Sequence, residues 1–82
     1  MLARVQRAFN SAFDVQAGSI TIDTVPGDVR AWDSMGHVTL ASSLEQEFGV
    51  TFDVDELMEM ENVREIVRIL QAKLARLDKA AT

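Results

Sequence analysis

Apolar residues recur at spacings of three and four along the start of the chain. Leu2, Val5, Phe9, Ala12 and Phe13 share one helical face, while Arg4, Arg7 and Asn10 fall on others. That is the pattern of an amphipathic helix running from Leu2 to Phe13. The rhythm stops at Asp14. From Asp14 to Ala31 the chain holds Gly18, Pro26 and Gly27 among polar Ser19, Thr21, Asp23, Thr24 and Asp28, 18 residues of loop composition. Ile20, Ile22 and Val25 alternate with polar residues there, but no second alternating run exists to pair with them. They are read as anchors pinning the loop to a core. A loop this long in so short a chain is more often functional than accidental.

Helical periodicity returns near Ser34 and continues to Phe48. Val38, Ala41, Leu44 and Phe48 form the expected buried stripe, Leu40 widens it, and Gly49 supplies a stop. Gly36, in the first turn, costs up to about 1 kcal/mol of helix propensity relative to alanine. Val50 to Phe52 reads as a short extended connection. Asp53 or Asp55 can cap a brief third helix near Glu56 to Met60. Asn62 then caps a last helix carrying Val63, Ile66, Val67, Leu70, Leu74 and Leu77. The tail after Asp78 is small and polar and is expected to fray. The pattern predicts an all-α fold: a small four-helix bundle of three longer helices and one short third helix, with a long loop between the first two. It forms a single domain over residues 1–82, ordered from about residue 2 to residue 77, with no repeats.

Size and composition narrow the chemistry. A chain of 82 residues buries only about 60% or slightly more of its unfolded surface, which disfavours a deep, substrate-sized active site. With no cysteine, disulfides, thiolate metal sites and a cysteine nucleophile are excluded. No apolar run approaches the roughly 18 residues that span a bilayer. The N-terminal stretch, broken by Arg4, Arg7 and Asn10, lacks the continuous apolar core of a signal peptide. A soluble cytoplasmic domain without membrane insertion is the expectation.

The net charge of −5 is unevenly spread. Between Ala31 and Asn62 lie Asp33, Glu45, Glu47, Asp53, Asp55, Glu56, Glu59 and Glu61 with no lysine or arginine; the remainder holds eight basic residues against five acidic ones, leaving it at plus three. Such a segment does not suit nucleic acid, which requires Lys and Arg at phosphates. It suits either basic protein surfaces or plain solvation.

Conventional catalysis finds little support. His37, the one histidine, lies three residues after Ser34, close enough on a helix to be its neighbour. No carboxylate is evidently placed to orient it, and the Gly-x-Ser-x-Gly elbow is absent. His37 therefore reads as a lone exposed histidine. Asp53, Asp55 and Glu56 lack the glycine and spacing of a calcium loop, so no metal site is expected. Ser34 stands where a loop becomes a helix. Unpaired N–H groups and the positive end of the macrodipole would receive a phosphodiester there. On position alone, the reading in which Ser34 or Asp33 merely caps the helix is the favoured one, since both are preferred cap residues.

The wider pattern resembles a family, the acyl carrier proteins and the related peptidyl and aminoacyl carriers. Asp33-Ser34-Met35 matches the motif that opens their second helix. Val38, Leu40 and Leu44-Glu45-Gln46-Glu47-Phe48-Gly49-Val50 match the helix that follows. Asp53 to Glu61 is similar to the acidic third helix, and Asn62-Val63-Arg64-Glu65-Ile66-Val67 to the start of the fourth. The resemblance is weakest across Asp14 to Arg30. It implies that Ser34 carries a covalent 4′-phosphopantetheine arm derived from coenzyme A, whose thiol holds cargo as a thioester. It also implies a separate phosphopantetheinyl transferase, with Asp33 helping to hold that enzyme's magnesium. An acyl- or aminoacyl-loading enzyme and a downstream synthase or transferase would complete the partners of a monomeric carrier with no catalytic activity of its own. Met35, His37, Glu45, Glu47, Asp53, Asp55 and Glu56 would face these partners. Phe48, Phe52, Leu57 and Met60 are candidates for sheltering a short acyl chain, though they read first as core.

This chain departs from the fatty-acid-synthesis pattern at Gly36 and Thr39, where acids are usual, and at Ser42, often large and apolar. It also has Ala31-Trp32 where modular peptide-synthesis carriers show glycines. These departures imply a free-standing specialised carrier. The other reading is an unmodified acidic interaction module in which Ser34 only caps a helix.

Overall fold

A computed structural model describes the backbone of residues 1–81 and the side chains of residues 1–77. It is all-helical: α1 (Leu2–Phe13), α2 (Ser34–Phe48), α3 (Val54–Glu59) and α4 (Val63–Ala81), with two 3₁₀ turns, Ala17–Ser19 and Pro26–Asp28, in the long loop. Among the described residues there is no strand, and no helix is long and apolar enough to cross a membrane.

Each helix ends where the local chemistry dictates. α1 stops at Asp14, which takes a left-handed conformation (φ 54°) and donates its N–H to Asn10 O. α2 stops at Gly49 (φ 66°), where the absence of a Cβ removes the penalty of that conformation. α3 begins two residues before the expected Glu56, because Asp53 and Glu56 form a reciprocal capping box, each side chain accepting the other's backbone N–H. Asn62 Oδ1 accepts the Glu65 N–H and opens α4, as anticipated. α4 continues to Ala81, so the backbone past Asp78 is helical where fraying was expected.

The core is built from Val5 and Phe9 of α1, Leu40, Leu44 and Phe48 of α2, Val63, Ile66, Ile69 and Leu70 of α4, and Ile20, Val29, Trp32, Val50 and Met60 from the connections. Val38, expected in the α2 stripe, is instead 65% exposed. The inward face is centred on Leu40 and Leu44, and at about 100° per residue Val38 falls more than a third of a turn away from it. Leu77 is likewise largely exposed, past the end of the packed stripe. Of the three loop anchors, Ile20 is fully buried and Ile22 packs against the core, while Val25 is exposed. Thr24 replaces it. Its hydroxyl accepts the Thr21 N–H, and its carbonyl accepts the Val63 N–H at 3.0 Å, one of the donors that the start of α4 leaves unpaired.

Candidate functional site

The site is assembled where the long loop meets α2. Trp32 is 4% exposed and meets Phe9 edge-on, with ring centroids 5.1 Å apart. Such a pair contributes about 0.5–1.5 kcal/mol beyond its burial. Anchoring Trp32 fixes the chain two residues before Ser34. Asp33 then caps α2: its Oδ1 accepts the Gly36 N–H at 2.7 Å and its carbonyl accepts the His37 N–H at 2.8 Å. The cap is thus Asp33, and Ser34, the first helical residue, has an exposed side chain.

Gly36 sits against the returning loop. A Cβ there would overlap the Ala31 carbonyl oxygen and approach the Phe13 ring to 3.2 Å. The missing side chain is therefore what allows Ala31-Trp32-Asp33 to fold back so closely over the first turn of α2.

His37 is not the exposed histidine the sequence suggested. Trp32 Nε1–H donates to its Nδ1 at 2.9 Å, and its Nε2 lies 2.8 Å from Leu57 O. Because Nδ1 accepts, the ring proton resides on Nε2, which donates to the Leu57 carbonyl. The Trp32 and His37 rings lie nearly parallel, 11° apart. Loop, α2 and α3 are joined through this one side chain. Both ring nitrogens are engaged, and neither is directed to Ser34.

The acidic candidates separate into distinct roles. Glu47, about 20 Å along α2 from Ser34 at 1.5 Å per residue, lies between Arg4 and Arg7, with Arg7 Nη2 at 2.9 Å. Arg4 also donates to the Glu47 carbonyl and stacks over the Phe48 ring at 4.3 Å. Glu45 Oε2 accepts the Phe52 N–H. Glu56 combines its capping bond with Lys73 at 3.0 Å and Arg76 at 3.8 Å. Its carboxyl is held below the ordinary value of 4.5, first by the Asp53 N–H, with burial opposing and Lys73 and Arg76 assisting. Asp53 is occupied as a cap, and Asp55 is exposed. The exposed large apolar side chains of these two helices are Met35 (84% exposed) and Val38 on α2, and Val54 and Met58 on α3.

Two residues at this site carried no expectation from the sequence, Trp32 and Pro26. Together with Asp33, Ser34 and His37 they line a surface depression of about 460 Å³. The only sequence signal for Trp32 is a large aromatic at the end of a polar loop, one residue before the cap. Two other depressions lie between α3 and α4 and beside Gly49–Thr51; none of the three is lined by Phe48, Phe52, Leu57 or Met60. Phe48 and Met60 are core residues. Among the described residues no group of His, Cys, Asp or Glu is arranged to hold a metal ion.

An exposed serine at a helix start, its capping duty taken by the preceding aspartate, fits covalent attachment of a phosphate-linked arm. Residues 31–70, from the glycine-facing loop to the buried face of α4, match the family model described as the phosphopantetheine attachment site. Among curated proteins none is significantly similar to the chain. Members of the matched family bind 4′-phosphopantetheine covalently and act as carriers. With the all-helical fold and the matched segment together, the chain is consistent with a member of the phosphopantetheine-bearing acyl carrier protein family.

Proposed function

We propose that Ser34 is the residue that bears the 4′-phosphopantetheine arm and that the protein shuttles acyl or aminoacyl thioesters between enzymes. When bound, the arm supplies the thiol that this cysteine-free chain lacks. The observation that carries the reading is the division of labour at the start of α2. Asp33 caps, Trp32 anchors, and Ser34 is left exposed within the matched segment. An external transferase can reach such a hydroxyl without any base supplied by the carrier. The engagement of both His37 nitrogens elsewhere supports a carrier rather than a hydrolase.

Asp33 would serve the transferase's magnesium through carboxylate capacity left over from its capping bond. Met35, with Val38, Val54 and Met58, offers an adaptable apolar contact for the loading enzyme and the downstream synthase or transferase. Asp55 would add acidic guidance there. Glu45, Glu47 and Glu56 would contribute field more than direct contact, being engaged within the molecule. His37 would act from beneath by holding this surface in place. A cytoplasmic, monomeric carrier in a specialised lipid or secondary-metabolite pathway fits best, because Gly36 and Thr39 stand where housekeeping carriers have acids.

The test is the intact mass after incubation with coenzyme A and a promiscuous phosphopantetheinyl transferase. The wild type is expected to gain one phosphopantetheine and Ser34→Ala none. An unchanged wild-type mass beside a fully modified control carrier would leave the unmodified interaction module as the better account.

A further inference from the structure

We propose that the apolar first segment of the pantetheine arm, the gem-dimethyl group next to its phosphate, docks in the depression lined by Pro26, Trp32 and His37. The inference rests on the carrier reading and goes further by assigning the arm a resting site on the loop side of α2.

The depression is continuous with the attachment point, since Asp33 and Ser34 form part of its wall. At about 460 Å³ it falls in the range of small-ligand sites, which are concave and mostly apolar. The polarity of its aromatic wall is cancelled from within. The indole N–H of Trp32 is consumed by His37 Nδ1, and the remaining His37 nitrogen by the Leu57 carbonyl. What the partly exposed Pro26 and His37 rings and the edge of the buried Trp32 indole present is therefore carbon surface, with no free donor or acceptor on either aromatic ring. Along the arm, the gem-dimethyl group is the first apolar feature, separated from the serine oxygen by only the phosphate and one methylene. That short spacing would bring it to this wall with the phosphodiester at the positive end of α2.

The competing location is the face carrying Met35, Val38, Val54 and Met58. That face is formed by side chains that stand out into solvent, a shape that suits a large partner surface more than a slender ligand. With the arm on the loop side, the face is left open for the enzyme that receives the cargo.

The experiment uses isotopically labelled protein loaded with unlabelled phosphopantetheine, first checked by intact mass. Absence of the mass gain would defeat the carrier reading itself before any docking is measured. On loaded protein, nuclear Overhauser contacts are expected from the gem-dimethyl protons to the Trp32 indole and the Pro26 ring. Pro26→Glu, which places a charge in the depression, is expected to load fully and lose those contacts. Contacts only to Met35, Val38 or Met58, no contacts from the arm to the protein, or contacts undiminished in Pro26→Glu would each overturn the proposal.

Discussion

At the scale of single residues, the neighbourhood of Ser34 is controlled by a glycine and a histidine. Gly36 carries a propensity penalty of up to about 1 kcal/mol, and the close passage of Ala31 explains why it is present. Gly36→Ala should therefore destabilise the fold by about 1–3 kcal/mol, as overpacking does, despite the better helix former. Urea unfolding measures this, and a stabilised variant would show that the loop yields freely. His37→Ala leaves the Trp32 N–H and the Leu57 carbonyl without their partner. A loss of about 2 kcal/mol is expected, with a shifted emission of Trp32, the chain's one tryptophan. An unchanged spectrum would mean that the bridge is not maintained in solution. Neither role was legible in the sequence. The Gly36 contact comes from a loop residue and an α1 ring, and the His37 bonds from a loop indole and an α3 carbonyl. Such proximities arise only once the chain has folded.

At the scale of elements, the helices and their caps were legible because periodicity and capping are local. Gly49 and Asn62 end and begin helices where the sequence places them. The errors came from orientation. An apolar residue type at position 38 suggested burial, while the neighbouring Leu40 and Leu44 determine which way α2 faces. α3 is held largely by polar chemistry, its Glu56 joining the cap to Lys73 and Arg76 of α4. The lowered proton affinity of Glu56 means that its charged form favours the fold. That contribution is complete above the ordinary value of 4.5 and fades as pH falls through the lowered folded-state value. Glu56→Gln should cost about 0.5–1 kcal/mol at neutral pH, with the gap from wild type closing in increasingly acidic solution. A gap that stays constant down to acidic pH would assign the loss to packing.

Across the whole molecule, the acidic segment divides into charges that build the fold and an apolar surface that faces outward. Asp33, Glu45, Glu47, Asp53 and Glu56 cap helices, accept backbone N–H groups or pair with arginine and lysine. A formal count of charge along the sequence could not separate these from free carboxylates, because their partners lie on other elements. What remains exposed on α2 and α3 includes Met35, Val38, Val54 and Met58, and the position of Ser34 is fixed by a buried tryptophan two residues earlier. That arrangement, within a segment matching the phosphopantetheine attachment site, makes attachment at Ser34 the central claim. Its most direct test is tandem mass spectrometry of the transferase-treated protein, locating the added group among Ser11, Ser19, Ser34, Ser42 and Ser43. The account predicts phosphopantetheine on Ser34 alone; the group on any other serine, or on none beside a modified control, would contradict it.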